Sequence, residues 1–176
     1  MSPEFLPGNP EQVVRGVAAG VSRLVAEDLT PADREDELDR LAALYAEHTD
    51  VCHPLSPIPA PRLRTRSQVR QHFAAGQTRL ADVERFEPVN AIVHVTDDPE
   101  VVIFEFAYAI SVKGHAFRVP NIYVVRVRDG QIVESRDYVD HVGMARGLGH
   151  LDGLAAALTH EHGSQSCDDK AATIRP

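Results

Sequence analysis

Cysteine is scarce in this chain of 176 residues: Cys52 and Cys167 are the only two. So distant a pair makes neither a disulfide framework nor a paired metal-ligand motif. Clustered positive charge is missing too. Lys and Arg total 18 against 26 Asp and Glu, a formal charge of −8. With no stretch that gathers cations against phosphates, nucleic acid is not an expected partner. No apolar run reaches the ~20 residues of a bilayer-spanning helix, so no membrane partner is expected. Met1 to Pro10 carries neither a basic nor an apolar stretch, and the expected location is cytoplasmic. His-Glu-x-x-His spacing, a facial-triad pattern, a phosphate-cradling glycine loop and a Gly-x-Ser-x-Gly elbow are all absent. Neither a metal nor a cofactor is therefore expected.

What is present reads as one globular domain over 1–158, with 43% hydrophobic and 25% charged residues. Val13, Val14, Val17, Ala18, Val21, Leu24 and Val25 recur at helical spacing and predict a helix over 10–27, weakened by Gly16 and Gly20. Thr30-Pro31-Ala32-Asp33 is a helix start, and the stripe Leu38, Leu41, Ala42, Leu44, Tyr45 carries that second helix to about His48. A short extended piece, 50–53, runs into Pro54, Pro57, Pro59 and Pro61, so 54–64 is expected as a loop. A third helix begins near Thr65 or Ser67, carries Val69, His72 and Phe73, and ends around Gly76. Strands are expected at 83–96, 100–112, 115–128 and 131–141, separated by turn residues such as Lys113-Gly114 and Asp129-Gly130. The short breaks make them antiparallel neighbours. Residues 143–158 suit one or two short helices, and from Thr159 on a mobile polar tail is expected, His160-Glu161-His162 included. The fold class is α+β: helices first, then a curved antiparallel sheet able to enclose a pocket.

Alternation sorts the strand faces. On 100–112, Val102, Phe104, Phe106, Tyr108 and Ile110 share one face. On 115–128 the inward set is His115, Phe117, Val119, Asn121, Tyr123, Val125 and Val127. Asp137 is in phase with Val133, Ser135 and Val139, where desolvation would raise its pKa toward general acid/base use. The plain alternative has Asp137 facing out and paired with a surface Arg. Both faces of 100–112 are largely apolar, and a second copy of the chain is the economical cover for the outer one, so a homodimer through that face is expected.

The run from Val125 to Asp140, with its Asp129-Gly130 turn and Arg136-Asp137-Tyr138, resembles the closing hairpin of the nuclear transport factor 2-like superfamily, within it the SnoaL-like polyketide cyclase and isomerase group. Met144-Ala145-Arg146-Gly147-Leu148-Gly149 is similar to the ending of the phenazine-biosynthesis A/B proteins, a sister branch. His53-Pro54, the prolines after it and the run Ser67 to Phe73 also fit the SnoaL-like pattern. The resemblance spans about 12–150. It implies a cone, a curved sheet and helices around one deep apolar pocket, commonly dimeric through the sheet. Because the superfamily hosts isomerases, cyclases, hydrolases and binders, it does not imply one activity.

By that resemblance Asp137 stands where the phenazine-type proteins carry their acidic catalytic residue, and His72 matches a pocket histidine of theirs; a helix histidine at the solvent boundary is the alternative. His53 falls where the ketosteroid isomerase branch carries a catalytic Asp. A histidine there departs from that branch, and the same His-Pro occurs in SnoaL-like sequences without a role. Tyr123, near the position of that branch's protonated Asp, and Asn121 are candidate oxyanion donors; a core tyrosine reaching solvent is the alternative. Tyr108, Phe106 and Tyr45 are candidate pocket walls. Asp140-His141 suits a pocket rim or a dimer contact. Phe106-Ala107-Tyr108 lacks the Arg-x-Asp pair of the limonene epoxide hydrolase branch, which disfavours that hydrolysis and leaves intramolecular epoxide opening available. The expected function is a cofactor-free cyclase or isomerase. It would act on a small apolar, aromatic or polyketide-type intermediate, with Asp137 moving a proton assisted by His72 or His53. The alternative is a dimeric non-catalytic binder of small apolar ligands.

Overall fold

The computed structural model describes residues 9–26, 29–78, 80 and 83–160. Helix α1 (Pro10–Leu24) starts at Asn9, whose side-chain oxygen accepts the Glu11 N–H at 3.0 Å, and Pro10 occupies the first turn. Helix α2 (Pro31–Ala43) opens with a reciprocal cap: Asp33 N–H donates to Thr30 Oγ1 at 3.1 Å and Thr30 N–H to Asp33 Oδ2 at 3.3 Å. The two helices meet at Gly20, where a Cβ would stand 2.6 Å from Leu41 Cδ2. What the sequence offers as a weak helix residue is thus a contact point. Glu37 is buried in the same seam and held by Arg23, at 3.2 Å, and Arg40.

α2 stops at Ala43, well before His48, and strand β1 (Tyr45–Cys52) follows. Tyr45 therefore leaves the helical stripe and is buried at the start of a strand. The reason is tertiary: the Ile132 N–H donates to Leu44 O at 2.8 Å and Thr49 Oγ1 donates to Ile132 O at 3.1 Å, pairing that outweighs helical periodicity. The proline segment ends in a three-residue strand, β2 (Leu63–Thr65), antiparallel to β1, where a loop is expected. Helix α3 (Arg66–Thr78) follows.

Four long strands come next: β3 (Val83–Val95), β4 (Val101–Val112), β5 (His115–Arg128) and β6 (Gln131–Val139). Their boundaries lie within two residues of expectation. Lys113-Gly114 and Asp129-Gly130 turn the chain with φ of 49° and 74°, and 52° and 76°, two consecutive left-handed residues as a two-residue hairpin requires. The sheet order is β2-β1-β6-β5-β4-β3. It corrects the expected all-antiparallel sheet: β1 joins β6 in parallel, so the sheet is mixed. Helices α4 (His141–Gly147) and α5 (Leu151–His160) close the described chain. Helix α5 runs past Thr159, and residues 161–176 of the expected tail lie outside the described residues.

Most of the inward face is as alternation predicts on β4 and β5: Phe104, Phe106, Tyr108, Ile110, Val119, Asn121, Val125 and Val127 are buried, Phe117 and Tyr123 are half-buried, and His115, at the start of β5, is exposed. On β6 the phase differs. Val127 pairs with Ile132 and Arg126 with Glu134, so Val133 is an extra residue in a bulge. Ile132, Ser135 and Asp137 are the buried positions, and Val133 does not share Asp137's face. A second irregularity in β3, beside Asn90 at φ 56°, adds to the sheet's curvature.

Candidate active site

Between the concave sheet and the helices lies a cavity of about 780 Å³. Val17 and Val21 of α1, Val69 and Phe73 of α3, Met144 of α4 and Leu148 just after it supply apolar wall. The segment from Pro57 to Pro61 and Leu154 of α5 complete it. Arg62 pins the proline segment to β1 through Asp50, at 2.7 Å. The polar groups gather on β5, β6 and the end of β1: Asn121, Tyr123, Asp137 and His53, with Tyr45 and Tyr108 beside them.

The parallel pairing makes the central juxtaposition. Val51 pairs with Ser135 and Cys52 with Arg136, so the next residues, His53 and Asp137, are neighbours on the cavity side. His53 Nε2 stands 3.9 Å from Asp137 Oδ2, beyond direct hydrogen bonding, and each side chain is 11% exposed. Burial pushes the Asp137 carboxyl up to about 7, while a hydrogen bond donated by Ser135 Oγ to Oδ1 pulls the other way. Burial pushes the His53 imidazole down to about 4, helped by His72 and His141. The two shifts run against the formation of an ion pair. Near neutral pH a large share of the Asp137 carboxyl is still protonated, beside an uncharged imidazole, two roles separated by environment.

Two further histidines flank His53. The His72 ring, on α3, is centred 5.0 Å from it, and the His141 ring, on α4, 6.2 Å. His72 lines the cavity but is exposed, so it sits at the mouth and not beside the acid. His141 is a cavity residue whose role sequence reading leaves between rim and dimer contact. Its Nε2 is buried without a hydrogen-bond partner, and burial lowers its pKa. Among the described residues no three His, Cys, Asp or Glu side chains are placed to hold a metal ion.

Burial, reinforced by the Asp137 charge, raises the pKa of the Tyr45 hydroxyl; burial and then Tyr108, ahead of Asp137, raise that of Tyr123. All three phenols, Tyr108 included, remain protonated donors. The Tyr123 hydroxyl donates toward Tyr108 Oη, which pulls the Tyr108 pKa down against burial, although the contact lies outside strict hydrogen-bond geometry. Asn121 is 2% exposed, and its Nδ2 donates to Val119 O at 2.8 Å. The orientation is thereby set: one amide hydrogen is taken by the strand's own carbonyl, and Oδ1 is the atom left without a partner. Phe106 is not on the cavity wall. It is buried behind it, edge-on to Tyr108 at 5.0 Å and Tyr123 at 5.1 Å, and supports their rings. Ser135, the partner of Asp137, escapes sequence reading because a serine two residues before a carboxylate is a common pattern on any strand.

The SnoaL-like domain model matches residues 26–135, more than half of the chain. The chain belongs to the SnoaL-like domain family. No curated protein matches it. Among solved structures, a candidate polyketide cyclase from Xanthomonas campestris superposes with a TM-score of 0.55 at 18% identity, covering 78% of this chain and 95% of that one. A protein with a ketosteroid isomerase-like fold from Catenulispora acidiphila, solved with trimethylamine, gives 0.56 at 19% identity, covering 81% and 95%. A phenazine biosynthesis-related protein from Pseudomonas aeruginosa gives 0.51 at 14% identity, covering 96% and 95%. At such identities the likeness establishes the fold, which is nuclear transport factor 2-like. The SnoaL-like match stops at Ser135, so Asp137 and the helices that close the cavity lie just beyond it.

Proposed function

We propose that the cavity is the active site of a cofactor-free isomerase or cyclase that acts on an apolar, aromatic or polyketide-type intermediate by general acid–base catalysis. The observation that carries this reading is the Asp137–His53 pair, 3.9 Å apart at the polar end of an otherwise apolar cavity. The Asp137 carboxyl donates its proton to a substrate carbonyl oxygen. The His53 imidazole takes a proton from the adjacent carbon, and an enol results. Return of the enol proton to Asp137, with delivery of the His53 proton to a different carbon, gives a double-bond shift. Attack of the enol carbon on a second carbonyl, with the enol proton returning to Asp137 and the His53 proton passing to the new alkoxide oxygen, gives ring closure. A dry pocket strengthens both transfers and keeps water from the enol. Asp137, His53 and His72 all line the cavity, which favours catalysis over a passive ligand carrier. As a homodimer the protein would cover the outer face of the sheet, where Ile92, Glu105 and Ile122 stand in one cross-strand row.

The test is exchange of the α-protons of 2-tetralone in deuterated buffer, followed by proton NMR. The native protein should accelerate exchange of a ketone shown by titration to bind. A bound ketone that exchanges no faster than in buffer would contradict the proposal.

A further inference from the structure

Two buried oxygens in the cavity lack a partner in strict hydrogen-bond geometry: Asn121 Oδ1 and Tyr108 Oη. The neighbouring Tyr123 hydroxyl donates toward Tyr108 Oη, which leaves the Tyr108 hydrogen itself unplaced. Asn121 and Tyr108 are 2% and 4% exposed, and both line the cavity. Buried polar atoms in native proteins are nearly always satisfied, so two such atoms at one site ask for a ligand. They belong to adjacent strands. Asn121 pairs with Phe106 and Val119 with Tyr108, which makes Asn121 and Tyr108 diagonal neighbours on the inward face.

The chemistry each atom offers is fixed. The Val119 carbonyl can only accept, so the amide must turn its NH₂ toward it, at 2.8 Å, and its oxygen to the cavity. Asn121 therefore needs a donor. Tyr108, a phenol held protonated by burial, can give its hydrogen and needs an acceptor. A ketone or ether accepts only and leaves Asn121 Oδ1 unpaired. An ammonium donates only and leaves the Tyr108 hydrogen unplaced. A neutral hydroxyl does both.

We infer that Asn121 and Tyr108 form a hydroxyl-recognition site, in which Asn121 Oδ1 accepts a hydrogen bond from a phenolic or enolic hydroxyl of the substrate and Tyr108 Oη donates one to it. This rests on reading the cavity as a substrate site and narrows the substrate class: besides the carbonyl that meets Asp137, the molecule carries a free hydroxyl. The reaction that supplies it must leave that hydroxyl unalkylated. An O-methylated analogue is rejected because it strands a buried acceptor, and sites built to hydrogen-bond a hydroxyl discriminate strongly against analogues without one.

The experiment compares 2-naphthol with 2-methoxynaphthalene by isothermal titration calorimetry at pH 7. The native protein should bind the naphthol about tenfold more tightly or better, and Asn121→Leu should bring the two within about threefold. Equal affinities in the native protein would overturn the inference, since water would then be satisfying the two oxygens. So would an undiminished preference in folded Asn121→Leu. Should that variant not fold, a crystal structure of the native naphthol complex decides: the hydroxyl is expected 2.5–3.2 Å (roughly, the usual hydrogen-bond range) from Asn121 Oδ1, and a hydroxyl seated elsewhere contradicts the assignment. Tetralone exchange tests the acid–base reading separately. Loss of exchange with the naphthol preference intact counts against that reading alone, and the converse counts against this one alone.

Discussion

Asp137 and His53 oppose each other in their effect on stability, and the opposition can be measured. The folded protein binds the Asp137 proton more tightly than the unfolded chain does, with a pKa raised from 3.8 to about 7. Its contribution is full below pH 4 and is lost as pH rises to 7. It binds the His53 proton less tightly, with a pKa lowered from 6.5 to about 4, so the His53 contribution is full above pH 6.5 and is lost as pH falls to 4. A tenfold change in proton affinity is worth about 1.4 kcal/mol for either group, so the two slopes largely cancel between pH 4 and 6.5. Removing one partner exposes the other. Urea midpoints of Asp137→Asn should rise with pH across 4–6.5, and those of His53→Ala should fall across 4–7. Parallel curves for the native protein and both variants would contradict the assignment. In catalysis, Asp137→Asn should slow tetralone exchange by roughly 10²–10⁴, the range for a lost general acid or base. Ser135→Ala removes the hydrogen bond that favours the carboxylate, so the Asp137 titration should move to higher pH, read as an alkaline shift of the pH–rate profile.

At the scale of elements, the pair depends on β1 running parallel to β6. Strand ends on β4 and β5, both hairpin turns and the inward faces were legible because alternation and Lys113-Gly114 and Asp129-Gly130 turn chemistry are local signals. Asp137 was legible as an inward carboxylate, although by way of a false companion, Val133, which the β6 bulge turns away. The parallel pairing was not legible: Leu44 and Tyr45 extend a helical stripe, and what ends the helix is a hydrogen bond from Ile132, 88 residues along from Leu44. The neighbouring of His53 and Asp137 was hidden for the same reason, and so were the cavity contributions of α4 and α5, whose Ala-Leu composition suits any short helix. The α1–α2 seam is likewise invisible until the helices cross. Gly20→Val would drive a side chain into Leu41 and should cost about 1–3 kcal/mol, the usual penalty for overpacking, measured as a drop in urea midpoint. An unchanged midpoint would mean that the helices separate at little cost.

Over the whole molecule, the sheet presents two different faces. Inside, one apolar cavity carries a small polar end. Outside, Ile122 is 43% exposed and Ile92 51%, on either side of Glu105. If copies pair through this face, Ile122→Glu should turn a dimer into a monomer in analytical ultracentrifugation while leaving naphthol affinity unchanged. A native protein that sediments as a monomer would contradict the proposed pairing. No helix among the described residues is long and apolar enough to cross a membrane. What most directly decides the account is the charge on Asp137 in the folded protein. With ¹³C-labelled aspartate and Asp137→Asn to assign the resonance, the carboxyl carbon should titrate with a midpoint near pH 7. A midpoint near 4, the ordinary value for aspartate, would mean that the carboxyl is ionised at neutral pH and that the cavity contains no acid to donate.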